Sequence, residues 1–150
     1  MKTINKITLA IGVAILLTSF QKLPTQTTFS LTVKVKELRN SKGVVQFALY
    51  NEDGSIPDEK FKCYYKIGTA DIDDQRATFT FPDLPSGRYA VNILHDENEN
   101  GKIDKGLFLP KEGVGFSNYK KIGLLNRPKF SKASFELDSD TTKIIKIIYL

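Results

Sequence analysis

Residues His95 to Asp104 read HDENENGKID and set Asp96, Asn98, Asn100 and Asp104 at even-numbered positions around Gly101. Short oxygen-bearing side chains at that spacing can turn inward on one hard cation. Read as a calcium loop, Asp96 takes position 1, Asn98 position 3, Asn100 position 5 and Gly101 the sharp turn at position 6. Lys102 would lend its backbone carbonyl at position 7, Ile103 fills the apolar position 8, and Asp104 stands at position 9. Leu107 occupies position 12, where a bidentate Glu belongs, so the shell needs another donor. Glu112, in a segment bordered by Pro110 and Gly113, is the carboxylate placed to fold back over the loop. With Asp96 and Asp104 as its formal charges, such a site belongs to the weak extracellular range of roughly 10⁻⁴ to 10⁻³ M. The same residues also suit a polar turn in which Asp and Asn oxygens accept backbone N–H groups and Lys102 or Lys105 neutralises the carboxylates. Glu97 and Glu99, between the ligand positions, are expected to face solvent.

His95 is the only histidine. At the end of an apolar strand it is expected to bond a loop carbonyl rather than a transition metal, since one His without a usable Cys is a thin zinc set. Cys63, the only cysteine, is expected on the apolar side of a strand. A core-facing thiol lacks the exposed, electropositive setting that activates a nucleophile. A hydrolase would need Asp96, Asp104, Glu112 and His95 to converge, and no spacing unites a nucleophile, a base and an orienting group. GVGFSN, residues 113 to 118, reads as a loop that tucks Phe116 onto the end of the domain; its second reading is one wall of a ligand patch, with Ser117 and Asn118 as polar contacts.

The elements that must position these residues have the period of strands. FSLTVKVKEL sets Phe29, Leu31, Val33 and Val35 on one face against Ser30, Thr32, Lys34 and Lys36. VVQFALY follows the turn RNSKG. FKCYYKIG alternates Phe61, Cys63, Tyr65 and Ile67 against Lys62, Tyr64 and Lys66. ATFTF, GRYAVNIL, KASFEL and TKIIKIIYL complete an all-β reading: an antiparallel β-sandwich of about seven strands. In the last strand Ile144 and Ile145 are adjacent, as are Ile147 and Ile148. Cover on both faces by the same domain is the expectation, and an assembly contact through this strand is the alternative.

Two groups of residues carry a resemblance. FPDLPSGRYAVNIL resembles the Phe-x-x-Leu-Pro-x-Gly-x-Tyr signature of transthyretin-like and carboxypeptidase-regulatory-like sandwich domains. Pro85 is expected to fix the turn, Gly87 to supply a backbone angle closed to other residues, and Tyr89, Val91 and Ile93 to share one strand face. LRNSKGVVQFALYN, HDENENGKID, PKEGVGFSN and RPKFSKASFEL, in that order, resemble bacterial domain-of-unknown-function family 2141, over about Leu31 to Leu137. The resemblance implies an Ig-like or transthyretin-like sandwich in an extracytoplasmic setting, and no established activity.

The start of the chain, MKTINKITLAIGVAILLTSFQK, has the layout of a secretory signal peptide: Lys2 and Lys6, an apolar run from Ile7 to Leu17, then small and polar residues. That run is short of the roughly 20 residues of a spanning helix. An uncleaved anchor is the alternative. The expected organisation is a signal peptide over 1–22, a flexible lead-in over 23–28 and one domain over 29–150. Without Lys2 and Lys6 the formal charge falls from +5 to +3. Export and dispersed charge argue against nucleic acid. The sequence thus points to an exported, periplasmic or extracellular β-sandwich without enzymatic activity or an integral membrane segment in its mature form. Calcium is its expected cofactor, and a surface polymer or a protein its expected partner.

Overall fold

The computed structural model describes residues 26–107, 109–123 and 125–150. The expected signal peptide, and residues 23–25 of the lead-in, lie outside the described residues. Eight strands follow in order: β1 (Thr28–Lys36), β2 (Val44–Tyr50), β3 (Lys66–Asp71), β4 (Ala77–Pro85), β5 (Gly87–Asp96), β6 (Gly113–Phe116), β7 (Phe135–Leu137) and β8 (Thr141–Lys146). Among the described residues a single short helix, α1 (Phe130–Ala133), precedes β7.

The strands form two sheets. In the smaller one the order is β4-β1-β8, and β1 pairs antiparallel with β4 but parallel with β8. In the larger one the order is β3-β2-β5-β6. β5 pairs with β2 along one edge; on the other edge β7 takes Gly87 to Tyr89 and β6 takes Asn92 to His95. Alternation drives the assembly: Leu31, Val33 and Val35 are buried while Lys34 and Lys36 are exposed. The inward face of β1 meets Phe47, Leu49, Val91 and Ile93 from the larger sheet in one apolar core. The chain passes between the sheets at Ser86, and the Tyr89 hydroxyl donates back to the Pro85 carbonyl at 2.9 Å, pinning that crossing.

A second apolar cluster lies on the outer face of the larger sheet. There Ala48, Tyr50, Ala90, Leu94, Val114 and Phe116 are covered by irregular chain bearing Ile56, Phe61 and Tyr119 and by Phe130 of α1. β5 is therefore buried on both faces, and its only exposed residue is Arg88.

Several expectations change. The segment read as a strand from Phe61 is irregular up to Tyr65, β3 begins at Lys66, and Cys63 is exposed rather than buried. Lys62 and Cys63 are held there because both amides donate to the Asp58 carboxylate. GVGF is not a loop but β6. Its glycines make room for the end of the chain: a Cβ on Gly113 would lie 2.5 Å from the Tyr149 ring, and one on Gly115 would lie 2.6 Å from the Lys146 carbonyl. KASFEL splits into part of α1 and β7. Gly87 is not among the positive-φ residues, and Asp83 takes that conformation upstream, with φ 54°, where the register of β4 against β1 shifts between Phe29 and Leu31. The last strand is not covered on both faces, since Ile144 is 65% exposed while Ile145 and Ile147 are buried. After Lys146 the chain leaves β1 and bonds across to the other sheet, Ile148 exchanging both backbone hydrogen bonds with Val114. Alternation thus runs through the last strand, with Ile145 and Ile147 inward and Ile144 outward, and Ile148 is half-buried where the chain crosses.

Candidate metal loop and the polar groups beneath it

β5 delivers His95 and Asp96 to the rim of the larger sheet. His95 is fully buried; its Nε2 lies 2.9 Å from the Lys42 carbonyl and its Nδ1 lies 2.8 Å from the Tyr149 hydroxyl. A carbonyl can only accept, so Nε2 carries the proton and Nδ1 accepts from Tyr149. The Tyr149 oxygen in turn accepts the Arg39 amide at 3.0 Å. His95 thus has the structural role expected of it, bonding a loop carbonyl.

Asp96 is buried and folds the loop around itself, one oxygen accepting the Asn100 amide at 3.1 Å and the other the Gly101 amide at 2.7 Å. Gly101 makes the sharp turn with φ 73°, a conformation costly for a residue with a Cβ. Asn98 Oδ1 accepts the Asn100 amide at 3.2 Å, and Asn100 Oδ1 accepts the Lys102 amide at 3.0 Å. Both Asn amides donate to one oxygen of Asp104, at 2.7 Å and 2.8 Å. These two bonds, Asn98 first, and the nearby Lys102 and Lys111 charges lower the Asp104 pKa from the ordinary carboxyl value. Ile103 packs against the outer apolar cluster, and its amide bonds the Glu59 carbonyl at 3.2 Å.

Glu112 does fold back over the loop. One of its oxygens accepts the Glu97 amide at 3.1 Å and the other the Asp104 amide at 3.2 Å, so a single carboxylate spans both arms of the turn. Burial raises its pKa; the two amides oppose the rise, while the Asp96 and Asp104 charges add to it. Glu97 does not face solvent as expected. The Arg39 guanidinium forks onto it and Asn40 donates to it at 2.6 Å, holding its carboxyl down at about 2. Glu99 is exposed, with φ 57°.

The structure therefore brings Asp96, Asn98, Asn100, Lys102, Asp104 and Glu112 into one loop system, while Leu107 stands 88% exposed, away from it. Among the described residues no three His, Cys, Asp or Glu side chains converge as a metal centre by themselves. A cation here would have to draw on the Asn oxygens, backbone carbonyls and water. Which atom of an Asn amide is nitrogen is settled by its partners. Here both Asn oxygens accept backbone amides and both nitrogens donate to Asp104, so an ion drawing on Asp104 would displace those two side-chain bonds.

Beneath the loop lie polar groups that sequence reasoning missed. Gln46 is buried, its amide rests under Gly101, and its Nε2 has no hydrogen bond. Asn92, fully buried on the same outer face, has no bond of ordinary geometry to either amide atom. Its amide nevertheless lies near enough to the Tyr50 hydroxyl to work against the rise in that group's pKa, a rise caused first by burial and then by the Asp58 charge. The Tyr50 hydroxyl donates to Asp58 at 3.3 Å. The available signal was a polar residue at an apolar-face position of a strand, Gln46 in VVQFALY and Asn92 in YAVNIL. Ser117 and Asn118, polar contacts only in the second reading of that segment, make structural bonds. Ser117 Oγ accepts the Val91 amide at 2.9 Å and donates to the Ala133 carbonyl at 2.7 Å, while Asn118 donates to the Ala133 and Ser134 carbonyls.

Among the described residues no helix is long and apolar enough to cross a membrane. The model of a bacterial family described as an uncharacterized protein conserved in bacteria, DUF2141, matches residues 33–145. No match is found among curated proteins or among solved structures.

Proposed function

The chain belongs to this uncharacterized bacterial family, and from that premise we propose that it is an exported, non-enzymatic β-sandwich whose acidic loop is a structural calcium site, serving a binding or accessory role. Asp96, Asn98, Asn100, the Lys102 carbonyl and Asp104 would hold the ion, with Glu112 completing the shell. The observation that carries the reading is Glu112, a buried carboxylate that spans both arms of the loop beside two further carboxylates. At neutral pH that crowding of negative charge opposes folding, and a bound cation removes the opposition. Gln46 adds support, because its Oε1 is the atom that lies nearest Gly101, at the floor of the same loop.

Calcium would act by fixing shape. It would tie the end of β5, the acidic loop and the start of β6 into one rigid corner, whose loops are then presented to a surface polymer or a protein. Affinity belongs to the extracellular range, roughly 10⁻⁴ to 10⁻³ M. A hundredfold excess over Kd stabilises the fold by about 2.7 kcal/mol.

Calorimetric titration with calcium, repeated on Asp96→Ala and Glu112→Gln, tests this. The expected result is measurable heat and a raised melting temperature in the natural chain, both lost in Asp96→Ala and weakened in Glu112→Gln. Neither heat nor a thermal shift at millimolar calcium sinks the reading. Unchanged affinity in Glu112→Gln would leave water to complete the shell and remove Glu112 from it.

A further inference from the structure

Beyond the acidic loop, the surface changes character. Leu109, Ile122, Leu125 and Leu150 line one apolar hollow together with Lys121 and Asn126. Leu125 is fully exposed and Leu107 is 88% exposed on the neighbouring turn, where the Gly106 amide bonds the Leu109 carbonyl. None of these four leucines belongs to either buried apolar cluster. The hollow continues into a second one lined by Phe116, Ile103 and Arg127, with Leu109 and Leu150 common to both.

The chain around this surface is of one charge sign. From Gly113 to Phe135 it carries Lys120, Lys121, Arg127, Lys129 and Lys132 and no Asp or Glu. Among the described residues none of these five makes an ion pair; Lys132 bonds Asn126 and lies 4.7 Å over the Tyr119 ring. The acidic groups lining the adjoining hollow are already engaged. Glu59 is paired with Lys105, and the Asp58 carboxylate accepts the Lys62 and Cys63 amides.

We propose that this surface docks the protein on an anionic phospholipid bilayer, with the leucines entering the acyl boundary and the surrounding cations resting at the headgroups. Protruding leucines ringed by lysine and arginine match such an interface, because long cationic side chains keep their charge at the headgroup level while their stems cover apolar surface. Contiguous exposed apolar area of this kind marks an interaction surface. A protein partner is the weaker occupant, since interface hot spots favour Trp, Tyr and Arg and under-represent Leu. The proposal stands independently of calcium, because none of its leucines or cations supplies an oxygen to the acidic loop.

The absence of tryptophan from the sequence supplies the test. In the full chain, Leu125→Trp places a single reporter at the tip of the patch, and Ile144→Trp places one on the exposed face of β8. With phosphatidylglycerol vesicles the Leu125→Trp emission should shift to the blue, while Ile144→Trp should not. With phosphatidylcholine vesicles neither should shift. Because both reporters carry the same residues 1–25, any attachment through that segment affects both alike. Adding Lys121→Gln and Arg127→Gln to Leu125→Trp should weaken partition roughly thirtyfold, at about tenfold per 1.4 kcal/mol and about 1 kcal/mol per cation removed. No shift on phosphatidylglycerol overturns the proposal and leaves the leucines to a protein partner. An equal shift from both reporters, an equal response to both lipids, or partition indifferent to the lost cations also overturns it.

Discussion

Toward the smaller sheet, β2 and β5 present Val45, Phe47, Leu49, Val91 and Ile93, all fully buried and all apolar; on their opposite face the same strands present Gln46, Ala48, Tyr50, Asn92 and Leu94. The difference lies in what covers each face. A sheet laid on a sheet brings its own backbone bonds already made, so its inner face needs only shape and apolar area. Irregular chain laid on a sheet arrives with unpaired amides, and these must find acceptors. Asp58 takes two of them, Asp96 two and Glu112 two. Most of the polar chemistry of this protein sits on the outer face because the loops require it there.

If the inner face is held by packing alone, Phe47→Ala should lower the unfolding free energy by about 3–5 kcal/mol, read as a lower urea midpoint. A loss of under 1 kcal/mol would mean that the two faces do not differ as described. On the outer face Asp58→Ala strands two amides and the Tyr50 hydroxyl, for a cost of about 2–3 kcal/mol. Hydrogen exchange should rise at Lys62 and Cys63 first. Asn92→Leu tests the same face with the opposite sign, since an amide with no bond of ordinary geometry gives way to an apolar group of similar size. A gain of about 1 kcal/mol is expected, and a loss would show that Asn92 is bonded after all.

The smallest effect concerns pH. The Arg39 guanidinium holds the Glu97 carboxyl at about 2, below its ordinary 4.5. A depressed carboxyl contributes stability that is complete above pH 4.5 and is lost as pH falls toward 2. Solvent at this rim reduces the contribution to under about 1 kcal/mol. Glu97→Gln should flatten the acid limb of a stability profile across that window. Glu112 carries the opposite sign: its pKa is raised, so the calcium-free fold gains stability as pH falls through it. Added calcium should reverse that gain.

The inner core was legible because alternation in β1, β2 and β5 is the physical cause of their burial. The acidic loop was legible too, down to Glu112, because its turn depends on residue type at fixed spacing. β6 was not. Gly113 carries no side chain where Ile147 and Tyr149 pack, nor Gly115 where the Lys146 carbonyl and Ile93 approach, and no periodicity of the strand itself records neighbours about 30 residues away. Cys63 was misplaced because FKCYYK alternates by chance: its backbone is governed by Asp58, five residues earlier, rather than by a sheet. The depth of Glu97 depended on Arg39, remote in sequence, and only the fold brings the two together.

The parallel pairing of β1 with β8 has a consequence for how the molecule is made. Leu31 lies against Thr141 and Lys36 against Lys146, so β1 waits for β8, made much later, to complete its sheet. Until then one edge of β1 is open, and contacts of such long sequence separation form slowly. A chain halted before Thr141 is expected to stay incompletely closed and prone to pairing with its own kind through that edge.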